Sequence, residues 1–338
     1  MHRDRPPEPG HPSERLFRRA RPGAHDGGSA GRARLGLGRG GGHRRTFGPG
    51  YGAGRGGPVG DEGPRARAAP RRRLTGTAFR RNERRVPVCT LHLWFQTFPG
   101  LPVVFAGNRD ENLDRAWDPP TVLVEHPRIL GPRDRVAGGT WLGVNLDAGL
   151  LVTLANHEGT LARGPSTCSR GTVVLETLRH ASADEARRFA EWVAPACKSY
   201  TLLIADAERA FVVDHSPGNT LTYRLLPGCH VITNARFRDP DDPKARRCLR
   251  RMEDLAARGD PSPAALFSFL SDHDTDAPGA TPLCIHPEPG SRFGTSSASV
   301  VHLEASGRLA GFWFAAGPPC RAGWAEVVGP PGETPPGG

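Results

Sequence analysis

At residue 88 one kind of sequence stops and another begins. Residues 1–87 hold 21 Arg, no Lys, no Cys, no Trp and 19 of the 43 glycines. Stretches such as Gly36–Gly42 and Arg65–Arg73 have no apolar periodicity with which to bury a core. Sequence of that kind does not recover its ordering entropy, so 1–87 is expected to be disordered. From Val88 onward, short apolar runs alternate with turn signals, and this part is expected to fold as a domain over 88–328. A Pro/Gly-rich tail, 329–338, is expected to fray.

The boundary also decides what the net charge means. A formal charge of +10 invites a nucleic-acid or membrane partner. Residues 1–87 contain 7 acidic residues against their 21 Arg, while the remainder contains 24 basic and 28 acidic residues. The excess positive charge therefore sits outside the expected domain. One reading of 1–87 is a basic tail gripping phosphates. The other is GC-rich upstream DNA translated from a mistaken start, which drifts toward Arg, Gly, Pro and Ala. The composition favours the second, and no nucleic-acid partner is expected. Residues 1–40 contain no apolar run long enough for a signal peptide. Nowhere is there a stretch of about 18 apolar residues, so no membrane span is expected and the compartment is expected to be cytoplasmic. Seven scattered cysteines with no CxxC pair read as reduced thiols, with neither a disulfide framework nor a metal site.

Strand-like alternation over Cys89–Phe95 and a second run, Leu101–Ala106, flank Pro99–Gly100 as a hairpin. Thr140–Asn145 and Leu150–Ala155 form another pair. Gly171–Arg179 has helical spacing, and Ser182-Ala-Asp-Glu185 is a capping box that starts a second helix. Tyr200–Ala205, Ala210–Val213, Thr220–Leu225 and His230–Thr233 read as consecutive strands. Pro243 opens a helix running to about Ala257, Ser262–Ser271 forms one more, and Ser297–Leu303 and Leu309–Phe314 close the domain as strands. Strands and helices in separate blocks predict an α+β fold rather than a doubly wound parallel sheet. There is no glycine-rich phosphate loop.

Cys89 opens the first strand. A valine codon of the GTG type, such as Val88 invites, also initiates translation, and an initiator Met is commonly removed before a residue as small as Cys. Cys89 would then carry a free α-amine of pKa about 7.7–8.0 beside a thiol of about 8.5, supplying nucleophile and base in one residue. Alone, its position favours a small buried hydrophobe instead. Asn108-Arg109-Asp110-Glu111 follows the second apolar run. It is either a solvated turn or a group in which Arg109 lowers the thiol pKa and Asp110 orients the α-ammonium. Asn156 and Asn234 each end a strand, where an amide either caps a turn or donates to an oxyanion. Trp141 is core packing or a pocket wall. For His157 and His286, an ordinary polar role outweighs acid/base or haem-ligand roles.

These segments resemble, in order, the NRDE family, which includes the eukaryotic transport-and-Golgi-organisation proteins. The resemblance is carried by Cys89-Thr90, Ala106-Gly-Asn-Arg-Asp-Glu111, Gly138-Gly-Thr-Trp-Leu-Gly143, Leu154-Ala-Asn-His157, Thr233-Asn234 and Phe293-Gly-Thr-Ser-Ser297, over about 88–316. That family usually starts Met-Cys and is similar to cysteine N-terminal-nucleophile amidases. The resemblance implies a four-layer αββα N-terminal-nucleophile hydrolase-like sandwich with Cys89 as nucleophile, Asp110 holding its amine, and Asn156 and Asn234 around the oxyanion. Asn108, Trp141 and His157 are the candidate substrate-binding residues, and the resemblance implies a small-molecule amide as substrate, with no cofactor. It also implies an alternative, a carrier of an apolar ligand such as haem or acyl-CoA. Two positions depart from the pattern. Arg109 adjoins Asp110, where the amidases place their arginine three residues earlier. Gly294-Thr295-Ser296 replaces Gly-Thr-Arg, leaving Arg292 as the nearest late arginine.

Overall fold

The computed structural model describes residues 89–157, 168–275 and 280–328; the expectations for 1–87 and 329–338 lie outside them. One sheet forms around the hairpin of β1 (Thr90–Phe98) and β2 (Leu101–Asn112). On the outer side of β1 lies β10 (Gly228–Ile232). On the outer side of β2 come β11 (Phe293–Leu303), β12 (Leu309–Ala315) and β13 (Trp324–Val328), giving the order β10-β1-β2-β11-β12-β13.

The second sheet is a meander in chain order: β3 (Trp117–Val124), β4 (Ile129–Asp134), β5 (Leu142–Asn145), β6 (Leu150–Asn156), β7 (Tyr200–Ala205), β8 (Ala210–Ser216) and β9 (Asn219–Leu225). Every pairing in both sheets is antiparallel. Among the described residues four α-helices complete the fold: α1 (Arg170–Thr177), α2 (Ala183–Val193), α3 (Pro243–Arg258) and α4 (Pro263–Leu270).

Alternation along the strands explains the layers. In β7, Leu203 and Ala205 point between the sheets with Leu93, Phe105 and Phe312, while Leu202 and Ile204 point outward onto Val173, Val174, Ala186 and Ala190 of α1 and α2. In the other sheet Trp94, Val104 and Val300 face outward onto Met252 and Leu255 of α3 and Leu266 and Phe269 of α4. Strands covered on both faces have no polar side to show, which is why Tyr200–Ala205 reads as an unbroken apolar run. The result is the four-layer αββα arrangement. Local signals fix the helix starts: Ser182 Oγ accepts from the Glu185 N–H at 3.3 Å, and Asp242 caps α3 ahead of Pro243. No helix among the described residues is long and apolar enough to cross a membrane.

Three expectations need correction. The second strand does not end at Ala106 but continues through Asn108–Glu111, because β11 pairs along it as far as Asn112. Strands β3, β4 and β13 were not foreseen; Pro119 and Pro120 disguise β3, which tolerates them as the edge of its sheet. Cys168 and Cys197, read as free thiols, are joined in a disulfide with Cα atoms 5.3 Å apart. Their separation of 29 residues carries no linear signature of that bond.

The Gly138–Gly139 pair has a packing reason. Gly138 turns the chain at φ +66°, and a Cβ on Gly139 would lie 2.5 Å from the Gly171 carbonyl carbon at the start of α1. Thr140 N–H donates to the Gly171 carbonyl at 3.2 Å, so the two backbones touch directly. Gly139→Ala is expected to destabilise the fold by about 1–3 kcal/mol through this overpacking, read from urea unfolding. Wild-type stability in that variant would mean that α1 moves aside without strain.

Candidate active site

The register of β2 distributes the charged quartet to two faces. Arg109 faces Ser297 of β11, and Thr90 of β1 faces Asn108. Arg109 points between the sheets, where its guanidinium lies 4.3 Å from the ring centroid of Trp141. Its Nη1 donates to Ser296 Oγ at 2.9 Å, and that hydroxyl donates back to the Arg109 carbonyl at 3.1 Å. Asn108 and Asp110 point the other way, toward the layer of α3 and α4. Asn108 Nδ2 donates to the carbonyls of Leu270 (3.0 Å) and Leu283 (2.9 Å). Asp110 Oδ1 accepts from Thr295 Oγ1 at 2.6 Å.

Cys89 stands at the start of β1, half-buried, with its thiol 3.7 Å from the Asp110 carbonyl. Burial, and next the Asp110 carboxylate, push the thiol up to about 12. Arg109 acts in the expected direction but is outweighed. A thiol so placed, with its own nitrogen in a peptide bond, is inert near neutrality. Asp110 is itself raised to about 6 by burial, against the pull of Lys244, the Thr295 hydroxyl and Arg109. Asp110 Oδ2 and Lys244 Nζ are both buried, and neither has a hydrogen-bond partner among the described residues. Burial also lowers the Lys244 pKa.

Sequence reasoning passed over Lys244, yet there was a signal. The whole chain contains two lysines, Lys198 and Lys244, among 45 basic residues. One lines the pocket and the other backs Asp110.

Cys89, Arg109, Trp141 and Asn156 open onto a cavity of about 530 Å³, within the range of small-molecule sites. Its rim is charged, with Arg115, Arg170 and Lys198 facing Glu111 and Asp134. Arg115 pairs with Asp134 at 2.8 Å. Arg170 enters because the Gly139–Gly171 contact seats the first turn of α1 against the pocket, and burial lowers its pKa.

Not every expected residue lines this cavity. Asn234 is buried behind Asn156 and spends its amide N–H on the Asn156 carbonyl. His157, at the end of β6, is buried away from the cavity, with Nε2 2.9 Å from Asp214 Oδ1 and 2.8 Å from Thr201 Oγ1. Asn108 borders the cavity, although its amide nitrogen is committed to the two carbonyls. Arg292 is exposed and pairs with Asp114, its Nε donating to Oδ2 at 3.0 Å. His286 lies elsewhere, beside His273.

Residues 88–312 match the family model described as Transport and Golgi organisation 2. The chain belongs to this family. The match spans the four described helices and every strand except β13 and the end of β12, and it takes in Cys89, the quartet, Trp141, Asn156 and Asn234. No curated protein matches the chain. Among solved structures, an N-acylethanolamine-hydrolyzing acid amidase ortholog from Caenorhabditis elegans overlays with a TM-score of 0.46 at 11% identity, covering 64% of this chain and 93% of that one. The R18L variant of conjugated bile acid hydrolase from Clostridium perfringens overlays at 0.42 with 10% identity, covering 71% and 96%.

The raised Asp110 carboxyl has a consequence for stability. Between its ordinary value of 3.8 and about 6, the unfolded chain releases the proton before the folded chain does. Stability therefore falls as pH rises through that window and levels off above it. At about 1.4 kcal/mol per unit the fall is about 3 kcal/mol. Urea unfolding of wild type and Asp110→Asn from pH 4 to 7 is expected to show this loss in wild type alone. Parallel curves would place the titrating group elsewhere.

Proposed function

We propose that this protein is an N-terminal-nucleophile cysteine hydrolase that cleaves an amide bond in a small molecule, with Cys89 as its first residue once the preceding segment is absent. One observation carries the reading: Asp110 Oδ2 is buried without a hydrogen-bond partner among the described residues, and the same carboxylate acts electrostatically on Cys89. An uncompensated buried carboxylate oxygen is costly, and the α-ammonium of an N-terminal Cys89 is the cation that would satisfy it. That cation forms when the neutral α-amine takes the thiol proton, which overcomes the burial that keeps the thiol inert in the longer chain.

The thiolate then attacks the substrate carbonyl carbon. The Asn156 amide, braced from behind by Asn234, donates to the developing oxyanion. The proton passes from the α-ammonium to the leaving nitrogen, and water hydrolyses the resulting thioester. Arg109, stacked on Trp141, holds the wall of the cavity. With Arg115, Arg170 and Lys198 it favours a substrate carrying negative charge.

A second reading, a non-catalytic carrier of haem or an acyl-CoA, is favoured by one observation, the thiol held at about 12 while its nitrogen is acylated. The cationic rim suits the same anionic amphiphiles.

Expression of residues 88–338 with Val88→Met separates the readings. Removal of the Met by processing is expected, with Cys89 alkylating at least tenfold faster at neutral pH than in the full-length chain. Cys89→Ala is expected to abolish amide turnover. A Cys89 that is free at its nitrogen and still no more reactive than Cys229 would defeat the hydrolase. Retention of haem or acyl-CoA by Cys89→Ala, with no turnover in the wild type, would establish the carrier.

A further inference from the structure

Four potential ligand side chains, three of them within residues 273–286 and the fourth at 320, converge at one end of the first sheet, outside the cavity. His273 follows α4, Cys284 and His286 lie on the segment leading into β11, and Cys320 lies in the connection between β12 and β13. His273 Nε2 and His286 Nε2 are 3.0 Å apart, His286 Nε2 and Cys320 Sγ 3.2 Å, and Cys320 Sγ and Cys284 Sγ 3.5 Å. All four ligand atoms lie within 4.8 Å of one another.

We propose that His273, Cys284, His286 and Cys320 form a tetrahedral structural zinc site. With Zn–S bonds of about 2.3 Å and Zn–N bonds of about 2.0–2.1 Å, neighbouring ligand atoms stand about 3.3–3.8 Å apart. The three close separations here fall short of that by a few tenths of an ångström at most, which a small movement of side chains supplies. Two thiols with two imidazoles form a donor set that favours zinc over the hard divalent cations. All four positions are taken by protein, as in a closed structural site, and none of the four residues lines the cavity.

The surroundings fit this reading. The His273 and His286 rings are stacked, with centroids 5.0 Å apart and planes at 16°, so that both Nε2 atoms meet on one side. Burial, Arg321 and His273 lower the His286 pKa, favouring the neutral form that binds metal. Burial and the neighbouring Cys320 raise Cys284 to about 12, a burden that a bound cation would remove. Cys320 and His273 are exposed, which gives an ion a way in.

The ion would also brace the candidate active site. Cys284 N–H donates to the Asp272 carbonyl at 2.8 Å. Next to Cys284, the Ile285 N–H donates to Thr295 Oγ1 at 2.8 Å, and the same hydroxyl holds Asp110. Leu283, on the other side, accepts from Asn108. A zinc ion would fasten this segment to the end of α4 and to the β12–β13 connection.

The test uses the full chain, purified under reducing conditions, stripped with a chelator, mixed with excess Zn²⁺ and passed through gel filtration. One retained zinc per chain is expected by elemental analysis. Co²⁺ in its place is expected to give thiolate charge-transfer bands and the visible bands of a tetrahedral ion. Cys320→Ser and His273→Ala change exposed residues and are expected to remain folded by circular dichroism while binding at least tenfold more weakly. Cys89→Ala is expected to bind as wild type does, which keeps this result separate from the catalytic reading. Sub-stoichiometric zinc in wild type would overturn the proposal. So would unchanged binding in both exposed-site variants, or a Cys284–Cys320 disulfide in the reduced preparation.

Discussion

The quartet Asn108–Glu111 lies within a sheet, with β11 paired along all of one edge and β1 reaching only Asn108 on the other. Charged side chains there have little water to turn to, so each must be matched by protein. Arg109 is matched by Ser296, Glu111 and the face of Trp141. Asn108 is matched by two main-chain carbonyls, and Asp110 on one oxygen by Thr295. What remains unmatched among the described residues is Asn108 Oδ1 and Asp110 Oδ2, the carboxylate having the Lys244 ammonium nearby as its main electrostatic counterweight. The functional reading grows from that residual imbalance.

The two faces of β2 divide the work. The face between the sheets carries the thiol, the guanidinium and the cavity. The face toward the helices carries the groups that set their charge and position: Asp110, Thr295, Lys244 on α3, and the carbonyls at the end of α4. The helices on this sheet therefore do more than cover its apolar side, since α3 places a cation behind Asp110. Segment 283–286 links this support to the His273–Cys320 cluster, so the proposed metal site and the proposed catalytic site share one strip of backbone.

Some of this was legible in the residues. Period-two alternation, the Ser182–Glu185 box and Pro243 are local signals, and they marked the strands and helices they should. Strands β3 and β4 were hidden by Pro119, Pro120 and Pro132, residues that argue against strands unless the strand is known to be an edge or to have a free pairing side. The end of β2 was misjudged because a run of charges reads as a solvated turn until a third strand is known to cover it. The resemblance pointed to Cys89, Arg109, Asp110, Trp141 and Asn156, and these meet around the cavity and the thiol. It also pointed to Arg292 and His157, which the folded chain directs to a surface ion pair and to a buried polar network.

By itself, the sequence determined the α+β character, the charged quartet, and the family pattern that joins it to Cys89. These depend on periodicity and on short motifs, which are local. Only the tertiary structure decided that Lys244 stands behind Asp110, that Asn234 braces Asn156, that Cys168 bonds Cys197, and that four ligand atoms from 273, 284, 286 and 320 share one small volume. Each of those facts brings together residues from different elements or connections of the fold. Sheet register and helix packing set such meetings, and no linear spacing records them.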